Sequence, residues 1–262
     1  MKLSISNIAW ESGNDKKIYN YMREFGFTGL EIAPTRIFPV DPYSCFKEAK
    51  EWKESISEEY GFHVPSMQSI WYGRTENIFG GQEERNVLAE YTKSAIHFAA
   101  EIGCGNLVFG CPKNRNIPKE GNPDAVIPFF RELADYARVK GTVIGMEANP
   151  AIYNTNYIND TWSALELIGK IGSDGFRLNL DVGTMIQNNE TLEVLKGQVS
   201  LVNHVHISEP NLRPIEKRDI HQGLADLLRQ EKYQGFVSIE MGKVEDITII
   251  KRTMEYIREV FG

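Results

Sequence analysis

Residues 142 to 182 read TVIGMEANPAIYNTNYINDTWSALELIGKIGSDGFRLNLDV. Thr142 to Ala148 is a short apolar run bounded by turn residues, 161 to 171 has helical periodicity, and Phe176 to Val182 is a second apolar run. The stretch therefore reads as strand, helix, strand. Strands joined through a helix pair in parallel, because the crossover carries the chain back to the end of the sheet where it began. The unit recurs on both sides. Similar runs lie at Leu3 to Ile8, Gly29 to Ala33, Val64 to Ile70, Asn106 to Cys111, Val202 to Ser208 and Phe236 to Met241, which with the first two makes eight.

The intervening segments carry helical stripes. After Asn122 and Pro123, a cap and first-turn pair, the residues Val126, Phe129, Phe130, Leu133 and Ala137 fall on one helix face, and Gly141 ends it. Leu88, Tyr91, Ala95, Phe98 and Ile102 repeat the pattern up to Gly103, and a closing helix is expected from about Val244 to Val260. Shorter helices are expected near 15 to 25, 45 to 60, 191 to 198 and 219 to 231. Eight such repeats in 262 residues match a (β/α)8 TIM barrel, a closed parallel eight-stranded sheet with outer helices, as one domain spanning 1–262. A doubly wound sheet is the rival, but the loop from Ala9 to Asn14 has no GxGxxG and no phosphate-cradling glycine loop occurs elsewhere.

Composition narrows the partners. With 42% hydrophobic and 25% charged residues the chain is an ordinary globular one. Its 29 basic and 36 acidic side chains give a net charge of −7, without any run of Lys or Arg. Nucleic acid and anionic membrane are therefore not expected partners, since both are bound mainly through clustered positive charge. Cys45, Cys104 and Cys111 are odd in number and lack CxxC spacing, so neither a disulfide framework nor a structural zinc site is expected. A cytoplasmic location is the expectation, because Met1 to Trp10 has no apolar stretch of signal length and no run of ~18 apolar residues occurs.

The ends of the last four strands carry the chemistry. They read Gly145-Met146-Glu147-Ala148-Asn149-Pro150, Leu178-Asn179-Leu180-Asp181-Val182-Gly183, His204-Val205-His206-Ile207-Ser208-Glu209 and Ser238-Ile239-Glu240-Met241-Gly242. In a barrel of this kind the loops after the strands build the active site. Side chains two apart share a strand face. Glu147 then goes with Gly145, Asp181 with Asn179, His206 with His204 and Glu240 with Ser238, while Met146, Leu178, Leu180, Val205, Val237 and Ile239 take the apolar face toward the helices. Glu147, Asp181, His206 and Glu240 would meet at the barrel mouth. Three carboxylates and an imidazole in one small volume repel and resist burial, and a divalent cation resolves that conflict. Oxygen and nitrogen donors without thiolate suit Mn²⁺, Mg²⁺, Co²⁺, Zn²⁺ or Fe²⁺. Taken singly, each residue reads more simply as a solvated strand-end charge or a cap of the next helix; the four in register are what point to a metal.

These strand ends resemble those of the xylose-isomerase-like sugar isomerase/epimerase superfamily, whose relatives include ketose 3-epimerases, inosose dehydratases and zinc-dependent apurinic endonucleases. The resemblance also rests on Gly26-Phe27-Thr28-Gly29-Leu30-Glu31-Ile32, on Ile158-Asn159-Asp160-Thr161 and on Tyr233 to Met241. It implies a barrel enzyme with one divalent metal held by the four residues above, with Glu147 and Glu240 as the acid and base pair. Two departures stand out. Many relatives carry a histidine where this chain has Thr184, and the additional histidines of the endonucleases are absent near Glu31 and Gln68, although Asp219-Ile220-His221 resembles their Asp-x-His pair.

The expected activity is a metal-dependent isomerisation or epimerisation of a sugar or sugar phosphate, through proton abstraction next to a carbonyl. The alternatives are a dehydratase or lyase acting on a cyclic polyol or keto acid, and a non-catalytic carbohydrate-binding barrel. Arg36, Arg74, Lys113, Arg115, Arg213, Lys217 and Arg218 lie in expected mouth loops and could clamp an anionic group; scattered surface charge is the bland reading. The expected substrate contacts are His221, Arg213, Asn149, Trp71 and Lys113, with Trp10, Tyr72, Tyr153, Asn154 and Asn156 also near the mouth. Barrels of this sort often pair, so a homodimer is among the expected partners.

Overall fold

The computed structural model describes residues 1–262. Seven parallel strands form one curled sheet: β1 (Lys2–Ser6), β2 (Gly29–Glu31), β3 (Leu107–Phe109), β4 (Ile144–Met146), β5 (Phe176–Asp181), β6 (Val202–Ile207) and β7 (Phe236–Ile239). Their order is β2-β1-β7-β6-β5-β4-β3. The expected eighth strand, Val64 to Ile70, is corrected to a bridging segment. It touches β2 through the bridges Gly29 to His63 and Ile32 to Met67, and β3 through Met67 to Leu107. Pro65 has no N–H to give to a ladder, so this run carries isolated bridges where the others carry continuous pairing. It still spans the gap between β2 and β3, which completes the (β/α) barrel.

Around the sheet lie eight helices longer than one turn: α1 (Asp15–Glu24), α2 (Phe46–Tyr60), α3 (Gln82–Glu101), α4 (Ile127–Lys140), α5 (Thr161–Ile171), α6 (Val182–Asn188), α7 (Asp219–Gln230) and α8 (Thr248–Phe261). Helix ends follow the chemistry of their residues. Asp160 caps α5 through Ser163 N at 2.7 Å, and Gly141 and Gly172 close α4 and α5 with φ of 77° and 64°. The helix expected near 191 to 198 is only the 3-10 turn Leu192–Leu195, whereas α6 begins directly at the end of β5. The closing helix starts at Thr248, later than its pattern suggested. No helix is long and apolar enough to cross a membrane.

The two faces of the strands separate as their parity demands. Met146, Leu178, Leu180, Val205, Val237 and Ile239 are buried against the helices, where Phe109, Phe130 and Phe176 pack edge to face or tilted. The inward face is small and polar: Ser4, Ser6, Asn106, Asn179, His204 and Ser238 are all buried. Asn106 Nδ2 donates to Ser66 Oγ at 3.0 Å and to Asn179 Oδ1 at 3.1 Å, and a Cβ at Gly145 would collide with that asparagine. A barrel lined this way is a hydrogen-bonded layer under the mouth, and it sets the height and direction of the groups above it.

Candidate metal centre

Glu147, Asp181, His206 and Glu240 converge. Their ligand atoms all lie within 4.8 Å of one another, at the carboxyl end of four neighbouring strands. Register explains the convergence, since Asp181 pairs with His206 across β5 and β6, and His206 with Ser238 across β6 and β7. His206 Nδ1 stands 3.0 Å from Glu147 Oε1 and 3.2 Å from Glu240 Oε2.

Each acid is held by its own partners. Asn179 Nδ2 donates to Glu147 Oε1 at 2.8 Å, and Asn149 Nδ2 to Glu147 Oε2 at 3.2 Å. A Cβ at Gly110 would lie 2.7 Å from Glu147 Oε2, so glycine there leaves room for the carboxylate. Asp181 does two jobs at once. Its Oδ1 caps α6 by accepting Thr184 N at 2.5 Å, and its Oδ2 accepts Ser208 Oγ at 2.6 Å. Thr184, at the position where histidine was expected by resemblance, turns its hydroxyl to Ala148 O at 2.9 Å and fastens α6 to the segment that follows β4. The cluster of four is complete without a side chain from that position.

Burial and like charge push the mouth acids upward. Glu240 rises to about 7, chiefly from burial, with His206 opposing and Glu147 and Asp181 adding to the rise. Asp181 rises to about 6 through burial and the Glu147 charge. Burial alone would lower the His206 pKa, but Glu240 and Glu31 hold it well above its ordinary value. Such a cluster shares protons when nothing else neutralises it, and a hard or borderline divalent cation can replace them. The donor set fits such an ion: three carboxylates and one imidazole. Cys111 also lines the cavity, where burial pushes its thiol up to about 12, but its sulfur is not among the clustered donor atoms.

The cavity above the cluster measures about 220 Å³, below the ~300–1,000 Å³ of drug-sized sites, and suits a small polar molecule. Its walls include Gln68, Ser69, Asn149, Tyr153, Ser208 and Glu209 beside the acids, and no Lys or Arg. Glu209 was not singled out from the sequence. Its carboxylate is gripped by Arg218, with Nε to Oε1 at 2.7 Å and Nη2 to Oε2 at 2.6 Å.

Of the five expected substrate contacts, only Asn149 lines this cavity. Trp71 is packed away, its indole N–H donating to Thr92 Oγ1 at 2.8 Å and its ring against Phe109. Lys113 and Trp71 line an adjoining depression that shares Ser69, Cys111 and Pro112 with the main one. Arg213 is exposed, next to the lining residue Leu212. His221 is buried on α7 with Nδ1 3.0 Å from Tyr256 Oη, and burial lowers its pKa to about 4. Asp219 is exposed, so the Asp-x-His fragment does not join the metal cluster.

The expected cationic clamp is largely dispersed, with only Arg74 and Lys113 sharing the adjoining depression. Arg36 pairs with Asp15 at 2.6 Å, Arg74 with Glu76, Arg218 with Glu209, and Lys217 sits over the Tyr256 ring. Arg115 is fully buried and brackets the loop after β4, donating to Glu147 O and Asn149 Oδ1, both at 2.9 Å. Trp10 is buried against Asp15, and Asn156 clips Ile117 by two hydrogen bonds. Tyr153 lines the cavity and its hydroxyl accepts Asn211 N at 2.8 Å.

The chain matches a family model described as xylose isomerase-like TIM barrel over residues 19–260. Its backbone is similar to that of a D-psicose 3-epimerase from Clostridium cellulolyticum H10, crystallised with D-tagatose, with a TM-score of 0.81 at 15% identity over 100% of this chain and 99% of that one. It is also similar to a 3-keto-D-glucoside 4-epimerase from E. coli (TM-score 0.75, 23% identity, 99% of both chains). A probable 3-DHS dehydratase from Bacillus anthracis gives a TM-score of 0.71 at 16% identity over 98% of both chains. At these identities the likeness is one of fold. No curated protein matches the sequence.

Proposed function

We propose, from the premise that the chain belongs to the xylose isomerase-like TIM barrel family, that it is a divalent-metal-dependent sugar epimerase or isomerase acting on a small, unphosphorylated keto sugar. The observation that carries this reading is the convergence of Glu147, Asp181, His206 and Glu240 within 4.8 Å. These four would hold the ion. A bound divalent cation supplies Lewis acidity, which polarises a sugar carbonyl and acidifies the neighbouring C–H.

The chain's own residues do the rest. Glu147 and Glu240 come from β4 and β7, two strands that flank β5 and β6, so their carboxylates reach the cluster from different sides. One removes a proton from one face of the carbon and the other returns it to the opposite face. Asn149 and Asn179 fix the Glu147 carboxylate by donating to both of its oxygens. Glu209, Tyr153 and Ser208 offer hydrogen bonds to sugar hydroxyls from the walls.

The charge of the walls selects a neutral substrate. The cavity walls carry no Lys or Arg to take a phosphate, and their one further acid, Glu209, is already paired with Arg218, which supports a neutral substrate. The decisive assay is deuterium uptake from heavy water into unphosphorylated ketoses and their phosphates. Uptake into a free ketose, dependent on added divalent cation and absent in Glu240→Gln, is the expected result. Uptake confined to phosphorylated sugars would reject the neutral-substrate reading, and no uptake into any sugar would reject the reaction class.

A further inference from the structure

Beneath the mouth, a second acidic residue meets the same imidazole from the other side. Glu31, at the end of β2, is fully buried, and its Oε2 lies 2.8 Å from His206 Nε2. His204 Nε2 is 2.9 Å from the same oxygen but out of line for a hydrogen bond, so His206 is the donor that this oxygen accepts. The other oxygen, Oε1, accepts Gln68 Nε2 at 3.1 Å, and the same amide reaches Ser6 Oγ at 2.7 Å. Glu31 is thus fixed at both oxygens.

We infer that Glu31 is a positioning residue: its carboxylate takes the Nε2–H of His206 and so holds the ring in the tautomer that presents the Nδ1 lone pair to the cation cluster. The inference rests on the metal site proposed above. A neutral imidazole carries one proton and one lone pair, and the hydrogen bond at one nitrogen decides which faces the metal. Here the competition is unusually direct. Glu147 Oε1 and Glu240 Oε2 stand 3.0 and 3.2 Å from Nδ1, both ready to accept a proton there. If they kept it, the nitrogen would point a hydrogen at the site where the cation must sit. A charged acceptor at Nε2 is the counterweight, because a charge-assisted hydrogen bond is roughly twice as strong as a neutral one. Glutamine at position 31 would keep the shape and lose that advantage.

The test uses Zn²⁺ as the probe with metal-stripped wild type and Glu31→Gln, together with ¹⁵N spectra of the histidine rings in the Zn²⁺-loaded wild type. Wild type should bind one ion per chain with the His206 proton on Nε2, and Glu31→Gln should bind ~10–100-fold more weakly while its circular dichroism remains that of wild type. A His206 proton on Nδ1 in the loaded wild type would overturn the inference even if the variant failed to fold. Equal affinity in the two proteins would overturn it while leaving the metal site standing. Two ions per chain, the second lost in Glu31→Gln, would make Glu31, His204 and His206 a cation site of their own and also overturn it. No Zn²⁺ bound by wild type would remove the proposed metal site itself.

Discussion

Glu31 and Glu240 are both buried, both touch His206, and are driven in opposite directions. Glu31 is held well below the usual carboxylate range, because His206 and His204 outweigh the cost of its burial. Glu240 is pushed up to about 7, because burial and the charges of Glu147 and Asp181 outweigh the one imidazole they share. The inner layer of the barrel is therefore matched in charge and closed, whereas the mouth layer holds an excess of acid beside an open cavity. Residue type did not set this contrast. The number of neighbours of each sign did, and an acid excess facing a cavity is what a cation corrects.

The contrast can be broken from the mouth first. Glu240→Gln removes the proton-carrying oxygen with little change of volume, and solvent exchange into the sugar is expected to slow by ~10²–10⁴-fold; wild-type exchange rates would remove Glu240 from the chemistry. From the inner side, Glu31→Ala leaves the buried Nε2–H of His206 without its acceptor, and urea denaturation of the metal-free protein should report a loss of ~1–3 kcal/mol. A loss within the range of ordinary surface substitutions would mean that the inner layer is not charge-matched.

A subtler distinction lies in pH. The folded-state pKa values of Asp181 and Glu240 are raised from 3.8 to about 6 and from 4.5 to about 7. Their protonated forms favour the metal-free fold, and that stabilisation fades as pH rises through about 6 and then about 7. His206, also raised, acts in the same sense. Added cation should therefore raise the melting temperature more at about pH 8 than at about pH 5, with a gain of ~2.7 kcal/mol at a hundredfold excess over Kd. A larger gain at the acidic end would contradict the assignment of these acids as ligands. The smallest effect is expected at Asp219: Asp219→Asn should leave stability within ~0.5 kcal/mol and cation retention unchanged, whereas Asp181→Asn should lose the ion.

Which layer each residue occupies was partly legible in the sequence. The four mouth positions could be placed because strand parity has a period of two and the apolar partners Leu178, Leu180, Val205 and Ile239 mark the opposite face. Asp181 as both ligand candidate and cap was also foreseeable as two separate readings, although α6 itself was missed because only its capping residue announces it. The third run misled, since its apolar content reads as a strand and the single Pro65 reduces it to bridges. Glu31 was visible as a residue and hidden as a partner, for its role depends on a 2.8 Å approach across 175 positions of chain. Arg115 misled for the same reason: a guanidinium in a loop looks available, and only the folded loops supply the Glu147 carbonyl and Asn149 amide oxygen that enclose it.

The central claim is that the acid excess at the mouth binds one divalent cation. Elemental analysis of the purified protein, after equilibration with Mn²⁺, Co²⁺, Mg²⁺, Zn²⁺ or Fe²⁺ in turn and removal of loose ions, measures this directly. One ion per chain is predicted for at least one of these metals, falling to none in a Glu147→Gln, Asp181→Asn double variant that keeps its fold. A chain that retains none of them, or a double variant that retains as much as wild type, would contradict the claim.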